Sequence, residues 1–294
     1  MAEAFRVAVR RGEFVECIHE VHAVAIRGGD IVVSAGDPGL VASLRSSAKP
    51  LQALPLARAY PDLGEEELAI ATASHYGTPR HVEAVRKLLA ATGGSEDELD
   101  CGLQEGRAQE PIYDNCSGKH AGMIATCRAH GWPVEGYRLP DHPLQELLRA
   151  EVAAATGLEP EEVDTGIDGC GVVAFAVPLE RAAFAYSRLE ELDGGARVAA
   201  AMRAHPVLVG GEGATDTVFM QAHPGIVAKG GAEGLLCASG GGMGLALKVA
   251  DGNSRALPPA LAAVAMQLGV PFRGFEQVPV PNRHGDSAAT VSIL

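Results

Sequence analysis

Apolar positions along this chain follow two different periods. Near the start they alternate with polar ones: Val7 and Val9 sit every second residue, and the apolar run at 22–26 is separated from the one at 31–33 by Arg27-Gly28-Gly29-Asp30. Alternation plus a glycine-rich connection predicts strands and a hairpin over residues 5–34. From residue 51 the spacing changes to that of helices. Residues 51–60 and 64–71 read as short helices, the second with Glu65, Glu66 and Glu67 in a favourable first turn. Val82, Val85, Leu88 and Leu89 mark an amphipathic helix that Gly93-Gly94 ends. A helix over 143–156 has Pro143 at its start and Gly157 beyond its end, and 178–190 and 195–204 read as further helices. Strand patterning then returns at 226–231, 234–238 and 245–249, followed by a helix over 258–268 and a last strand near 288–293. Strands at both ends with helices between predict an α+β fold, an antiparallel sheet from both termini packed against a central helical region, in one domain spanning 1–294.

Composition narrows the function classes. A chain of 294 residues with 47% hydrophobic content can fill a core, and with 36 glycines against 4% aromatic residues that core is aliphatic and the turns are close. A formal charge of −13 argues against a nucleic-acid backbone or an anionic membrane as partner. No apolar run approaches the roughly 20 residues of a membrane span, the first residues do not resemble a secretion signal, and six scattered cysteines suit a reducing compartment. The expectation is a cytoplasmic protein.

Two constellations carry candidate chemistry. In Arg45-Ser46-Ser47-Ala48-Lys49-Pro50 a hydroxyl and an amine stand three residues apart. A serine needs a base within reach, and lysine serves only if burial or a neighbouring cation keeps it neutral. Pro50 disfavours the α conformation at Lys49, which places the pair at a loop-to-helix junction. The same spacing occurs in ordinary surface composition, so later segments must decide. Ser74 lies in a polar loop and Lys229 on a predicted strand beside Gly230-Gly231. A Ser-x-x-Lys turn, a second hydroxyl loop and a lysine strand, in that order, form the trio that penicillin-recognising enzymes use. The second constellation is Cys116 and Lys119 with Cys170, next to His120 and Asp168. The dense small and polar residues at 113–122 suit a backbone-lined site better than a packed helix. Two thiolates suit zinc, yet no Cys-x-x-Cys pair completes a four-ligand set, which leaves buried thiols open as the alternative.

Taken together, Arg45 to Pro50, Ser74-His75, Asn115-Cys116-Ser117-Gly118-Lys119-His120, Asp168-Gly169-Cys170-Gly171 and the run from Ala228 to Gly234 resemble the L-asparaginase II family of the Rhizobium etli inducible type. The resemblance extends from about 11 to 251. It implies a serine β-lactamase-like, glutaminase-like fold, a homodimer, and hydrolysis of L-asparagine to L-aspartate and ammonia through a Ser-Lys acyl-enzyme. It further implies Ser46 with Lys49 and Ser74 with Lys229 as two catalytic pairs, zinc held by Cys116, Lys119 and Cys170 to assist substrate binding, and Arg45, His120 and Asp168 around the substrate or metal. Gly211-Glu212-Gly213-Ala214 departs from the basic residue usual in that family's Gly-x-Gly-Arg run. A Ser-Lys amidase or penicillin-binding-like hydrolase acting on another acyl substrate, and a non-catalytic zinc or redox-sensing protein, are the competing readings.

Overall fold

A computed structural model describes residues 2–294. Its larger sheet is built from both ends of the chain: β1 (Phe5–Arg11), β2 (Phe14–Arg27) and β3 (Asp30–Ala35) from one, β7 (Val227–Gly231), β8 (Leu235–Gly240), β9 (Met243–Val249), β10 (Gln277–Pro281) and β11 (Ser287–Ile293) from the other. The order is β10-β11-β1-β2-β9-β8-β7 and every pairing is antiparallel. At 14 residues β2 outruns its partner: Phe14 to Val21 pair with β1, and Ala23 to Arg27 pair with β3 on the same side. The expected α+β architecture is therefore present. The glycines at 240–244 serve a tight hairpin, since Gly241 and Gly242 between β8 and β9 both take positive φ, as a two-residue turn requires.

A smaller sheet, ordered β4-β6-β5, comprises β4 (Val41–Ser43), β5 (Asp164–Ile167) and β6 (Val173–Pro178). Helices α1 (Lys49–Gln52), α2 (Leu54–Ala59), α3 (Glu65–Ala71), α4 (Pro79–Thr92), α5 (Ser117–His130) and α6 (Pro143–Thr156) form the helical middle with α7 (Leu179–Ser187), α8 (Gly195–Ala204), α9 (Pro206–Gly210) and α10 (Thr215–Ala222). α7 packs on β2, β8 and β9, while α11 (Leu257–Gln267) packs against β9, β11 and β1. One apolar cluster runs through both regions, from Val7 and Leu247 in the sheet to Leu56 and Ile124 in the helices.

The structure corrects the sequence expectation at 113–122. From Ser117 onward this segment is a regular helix whose first eleven residues are all buried. The same small residues that read as a loop permit it: a Cβ on Gly118 would lie 2.1 Å from the Ile70 carbonyl oxygen, so only glycine lets α5 approach α3 this closely. Lys49 also departs from expectation, taking α backbone angles before Pro50 because it continues directly from the turn at Arg45–Ala48 into α1. The strands β4, β5 and β10 were not expected; β4 and β5 have only three and four residues, and β10 carries prolines at the sheet edge.

Gly118→Ala should destabilise the protein by about 2 kcal/mol or more, because the obstructing atom is backbone. At Gly122 a Cβ meets only side chains, at 3.3 Å, so Gly122→Ala should cost less. Urea unfolding midpoints at unchanged slope check both; equal losses would contradict the close-approach argument.

Candidate active site

Ser46 reaches the surface of a cleft through unusual backbone. Arg45 has φ of +44°, a left-handed angle that side-chain-bearing residues avoid at a cost on the order of 1 kcal/mol. Its side chain is held, with Nε donating to Asp168 Oδ1 at 2.8 Å and Nη1 3.9 Å from Glu233. The short 3-10 turn that follows carries Ser46, and its neighbour Ser47 donates from Oγ to the Lys229 carbonyl at 2.8 Å. That bond stitches the Ser46 turn to β7.

The cleft has a volume of about 420 Å³ and is lined by Ser46, Ser74, Lys229 and Asp216, together with Tyr76, Arg107 and Asn115. Ser74 is fixed through its backbone N–H, which donates to the Val209 carbonyl at 2.8 Å. Lys49 lies under this pocket, 1% exposed, and donates from Nζ to Ser74 Oγ at 3.0 Å and to the Ala73 carbonyl. Burial lowers its pKa, and the cations Lys119 and Lys229 add to that against the opposing pull of Cys116 and Cys170. Lys229, also 1% exposed, reaches Asp216 Oδ2 at 3.4 Å and the Gly230 carbonyl at 3.1 Å. Asp216 in turn accepts from the Gly230 and Thr217 N–H groups.

The hydrogen bonds thus join Lys49 to Ser74 and Lys229 to Asp216, whereas the expected pairs were Ser46 with Lys49 and Ser74 with Lys229. Ser46, Ser74 and Lys229 nevertheless share one cleft. Asp216 was not anticipated. Nothing in Ala214-Thr215-Asp216-Thr217 marks a carboxylate that meets a lysine thirteen residues later on a strand. Ala214 lines the same pocket, so the segment that departs from the family pattern brings no positive charge to it.

Behind Lys49 lies the thiol cluster. Lys119 Nζ donates to Cys170 Sγ at 3.0 Å, and Cys116 and Cys170 influence each other's acidity. The contact with Cys170, with the Lys49 and Lys119 side chains, outweighs burial and holds Cys116 well below the usual thiol range; Cys170 is driven up by that contact and by burial. Burial works to lower the Lys119 pKa, but the two sulfurs overcome it and keep the amine protonated. Asp168 faces a burial penalty that Lys119, the Gly169 N–H and Arg45 more than offset, so it stays ionised.

Among the described residues no three His, Cys, Asp or Glu side chains gather around a metal-sized space. Cys116, Lys119 and Cys170 do converge, all nearly sealed from solvent, and the adjoining His120 leaves Nε2 buried without a partner. This donor set fits zinc, provided Lys119 releases its proton to the solvent as the metal enters. His120 itself is fully buried, with Nδ1 2.6 Å from Tyr137 Oη, and burial followed by Lys119, Lys49 and Arg138 keeps it neutral; it does not line the cleft. Arg45 and Asp168, also expected around the substrate or metal, are paired with each other outside the cleft lining, with Asp168 near Lys119. His75 accepts the Gly77 N–H at Nδ1 and so donates from Nε2 to Ser117 Oγ at 2.9 Å, a packing role that ties the Ser74 loop to α5.

Among solved structures, Mglu in its native form at 4.3 M NaCl is 14% identical over 86% of this chain, with a TM-score of 0.49, and this chain spans 61% of that one. A β-lactamase from Mycobacterium bovis is 18% identical over 84% of this chain and 93% of its own, with a TM-score of 0.38. No curated protein matches the chain. The L-asparaginase II family matches residues 7–291. With that match covering nearly its whole length, the chain belongs to the L-asparaginase II family, a family of amidohydrolases.

Proposed function

We propose that the protein is an L-asparaginase that hydrolyses the side-chain amide of L-asparagine to L-aspartate and ammonia through an acyl-enzyme on Ser46. The observation that carries this reading is the Lys49 amine, sealed from solvent and bonded to Ser74 Oγ, behind a cleft lined by both Ser46 and Ser74. Ser46 Oγ attacks the amide carbon and its proton passes to neutral Lys49. The backbone N–H of Ser46 faces the developing oxyanion. Ser74, already bonded to Lys49, relays the proton to the departing nitrogen, and ammonia leaves. Water then gives its proton to Lys49 and adds to the ester, releasing L-aspartate and restoring the Ser46 hydroxyl. Lys229 helps keep Lys49 unprotonated, and Asp216 fixes Lys229. Cys116, Lys119 and Cys170 would hold zinc, which when bound supplies positive charge for substrate binding. The homodimer and the cytoplasmic setting expected above belong to the same proposal.

Ser46→Ala should lower ammonia release from L-asparagine by about 10⁴-fold or more, and Ser74→Ala by about 10²-fold. Mass spectrometry of enzyme quenched during turnover should find the aspartyl ester on Ser46; an ester on Ser74 would reverse the two roles.

Activity requires neutral Lys49, so kcat/KM should fall as pH drops through that group's pKa, on a limb below the ordinary lysine value of about 10.4. Removing the Lys229 cation lets the Lys49 pKa rise. The limb should therefore move to higher pH in Lys229→Met, and a shift to lower pH would contradict the assignment.

The purified protein should contain about one zinc per chain by elemental analysis, and Cys116→Ser with Cys170→Ser should lose it. In that double variant KM should rise about tenfold or more while kcat falls by less. An unchanged KM in zinc-free protein would remove the metal from substrate binding.

A further inference from the structure

Resting on the asparaginase reading, the geometry points to Arg107 as the group that binds the α-carboxylate of the substrate. Three observations converge on it. Arg107 lines the cleft that holds Ser46, Ser74 and Lys229. Among the described residues no carboxylate lies within ion-pair distance of its guanidinium, whereas the other cations near the reacting groups are occupied: Lys229 with Asp216, and Arg45 with Asp168. Finally, Nη1 donates to the carbonyls of His75 at 2.9 Å and Tyr113 at 2.8 Å, which uses both of its hydrogens. The Nε and Nη2 hydrogens remain without a protein partner, and those two edges form the fork that grips a carboxylate with two parallel bonds.

The two carbonyl bonds also fix where the fork stands. His75 follows Ser74 in the chain and Tyr113 precedes the Asn115 that lines the cleft, so Arg107 is braced against the loops that carry the reacting hydroxyl and the cleft wall. A braced guanidinium loses little further freedom on binding, which favours a small ligand with few other contacts. An amide without an α-carboxylate leaves the fork unpaired, so discrimination comes from the cation rather than from cleft shape. Sequence reading passed over Arg107 because it lies in an irregular stretch, Gln104-Glu105-Gly106-Arg107, with no period or motif to mark it.

The test compares L-asparagine with its α-carboxamide, which keeps the scissile side-chain amide and lacks the carboxylate. In Arg107→Gln, kcat/KM for L-asparagine should fall about 10- to 100-fold, mainly through KM, while kcat/KM for the α-carboxamide changes by less than about threefold. Arg107→Lys, which keeps the charge and loses the fork, should fall between wild type and Arg107→Gln on L-asparagine. Equal losses on both substrates would mean that Arg107 only braces its loops, and would overturn the proposal. Calorimetric titration of wild type and Arg107→Gln with L-asparagine, on Ser46→Ala backgrounds, separates this outcome from failure of the asparaginase reading itself. A wild-type protein that releases no ammonia yet binds L-asparagine in an Arg107-dependent way would refute the reading and leave the carboxylate site standing. Binding that ignores Arg107, or no binding, would overturn the carboxylate site.

Discussion

The Lys49 amine is enclosed, and its enclosure shapes what surrounds it. Water is excluded by the turn at Arg45–Ala48, by the Ala73-Ser74 loop above it and by the core beneath. Enclosure alone would leave the amine's hydrogens unsatisfied, so Ala73 and Ser74 supply the acceptors. Two further lysines press on the same space. Lys229 is paired with Asp216 and Lys119 with Cys170, while Lys49 donates to Ser74 Oγ and the Ala73 carbonyl and has Cys116 beside it. The region therefore holds three amines within a core that tolerates few charges.

This arrangement depends on both ends of the α+β fold. Lys49, Ser74 and the thiols come from the helical middle, while Lys229 comes from the sheet. Two hydrogen bonds tie the Ser46 turn to its surroundings: Ser47 Oγ donates to the Lys229 carbonyl on β7, and Tyr186 on α7 donates to the Ser47 carbonyl at 2.7 Å. These bonds keep the Ser46 turn in register with Lys229 on the sheet. Proximity of this kind supplies catalytic advantage without new chemical groups.

What could be read from the sequence followed its periods. The terminal strands, the amphipathic helices over 79–92 and 143–156, and the order of Ser46, Ser74 and Lys229 were legible because alternation, caps and spaced chemical residues are local signals. The helix at Ser117–His130 was not, because Gly118, Ala121 and Gly122 are chosen for tight packing against α3 and α2, and a close-packed helix face resembles a polar loop in composition. Asp216 and Arg107 were missed for a different reason. Each acquires meaning only from a neighbour brought by the fold, Lys229 for one and the cleft for the other. The partner of His120 Nδ1, Tyr137, is likewise brought by the fold, in an orientation that spacing does not encode.

The left-handed backbone at Arg45 has an evolutionary side. Glycine would relieve that angle, yet the same change would sever the tether to Asp168, two residues before Cys170. Asparagine, the next most tolerant residue in that conformation, has a side chain too short to span the distance an arginine covers. A substitution at position 45 that relaxes the backbone therefore gives up the ion pair, so the backbone angle and residue 168 are coupled through one side chain.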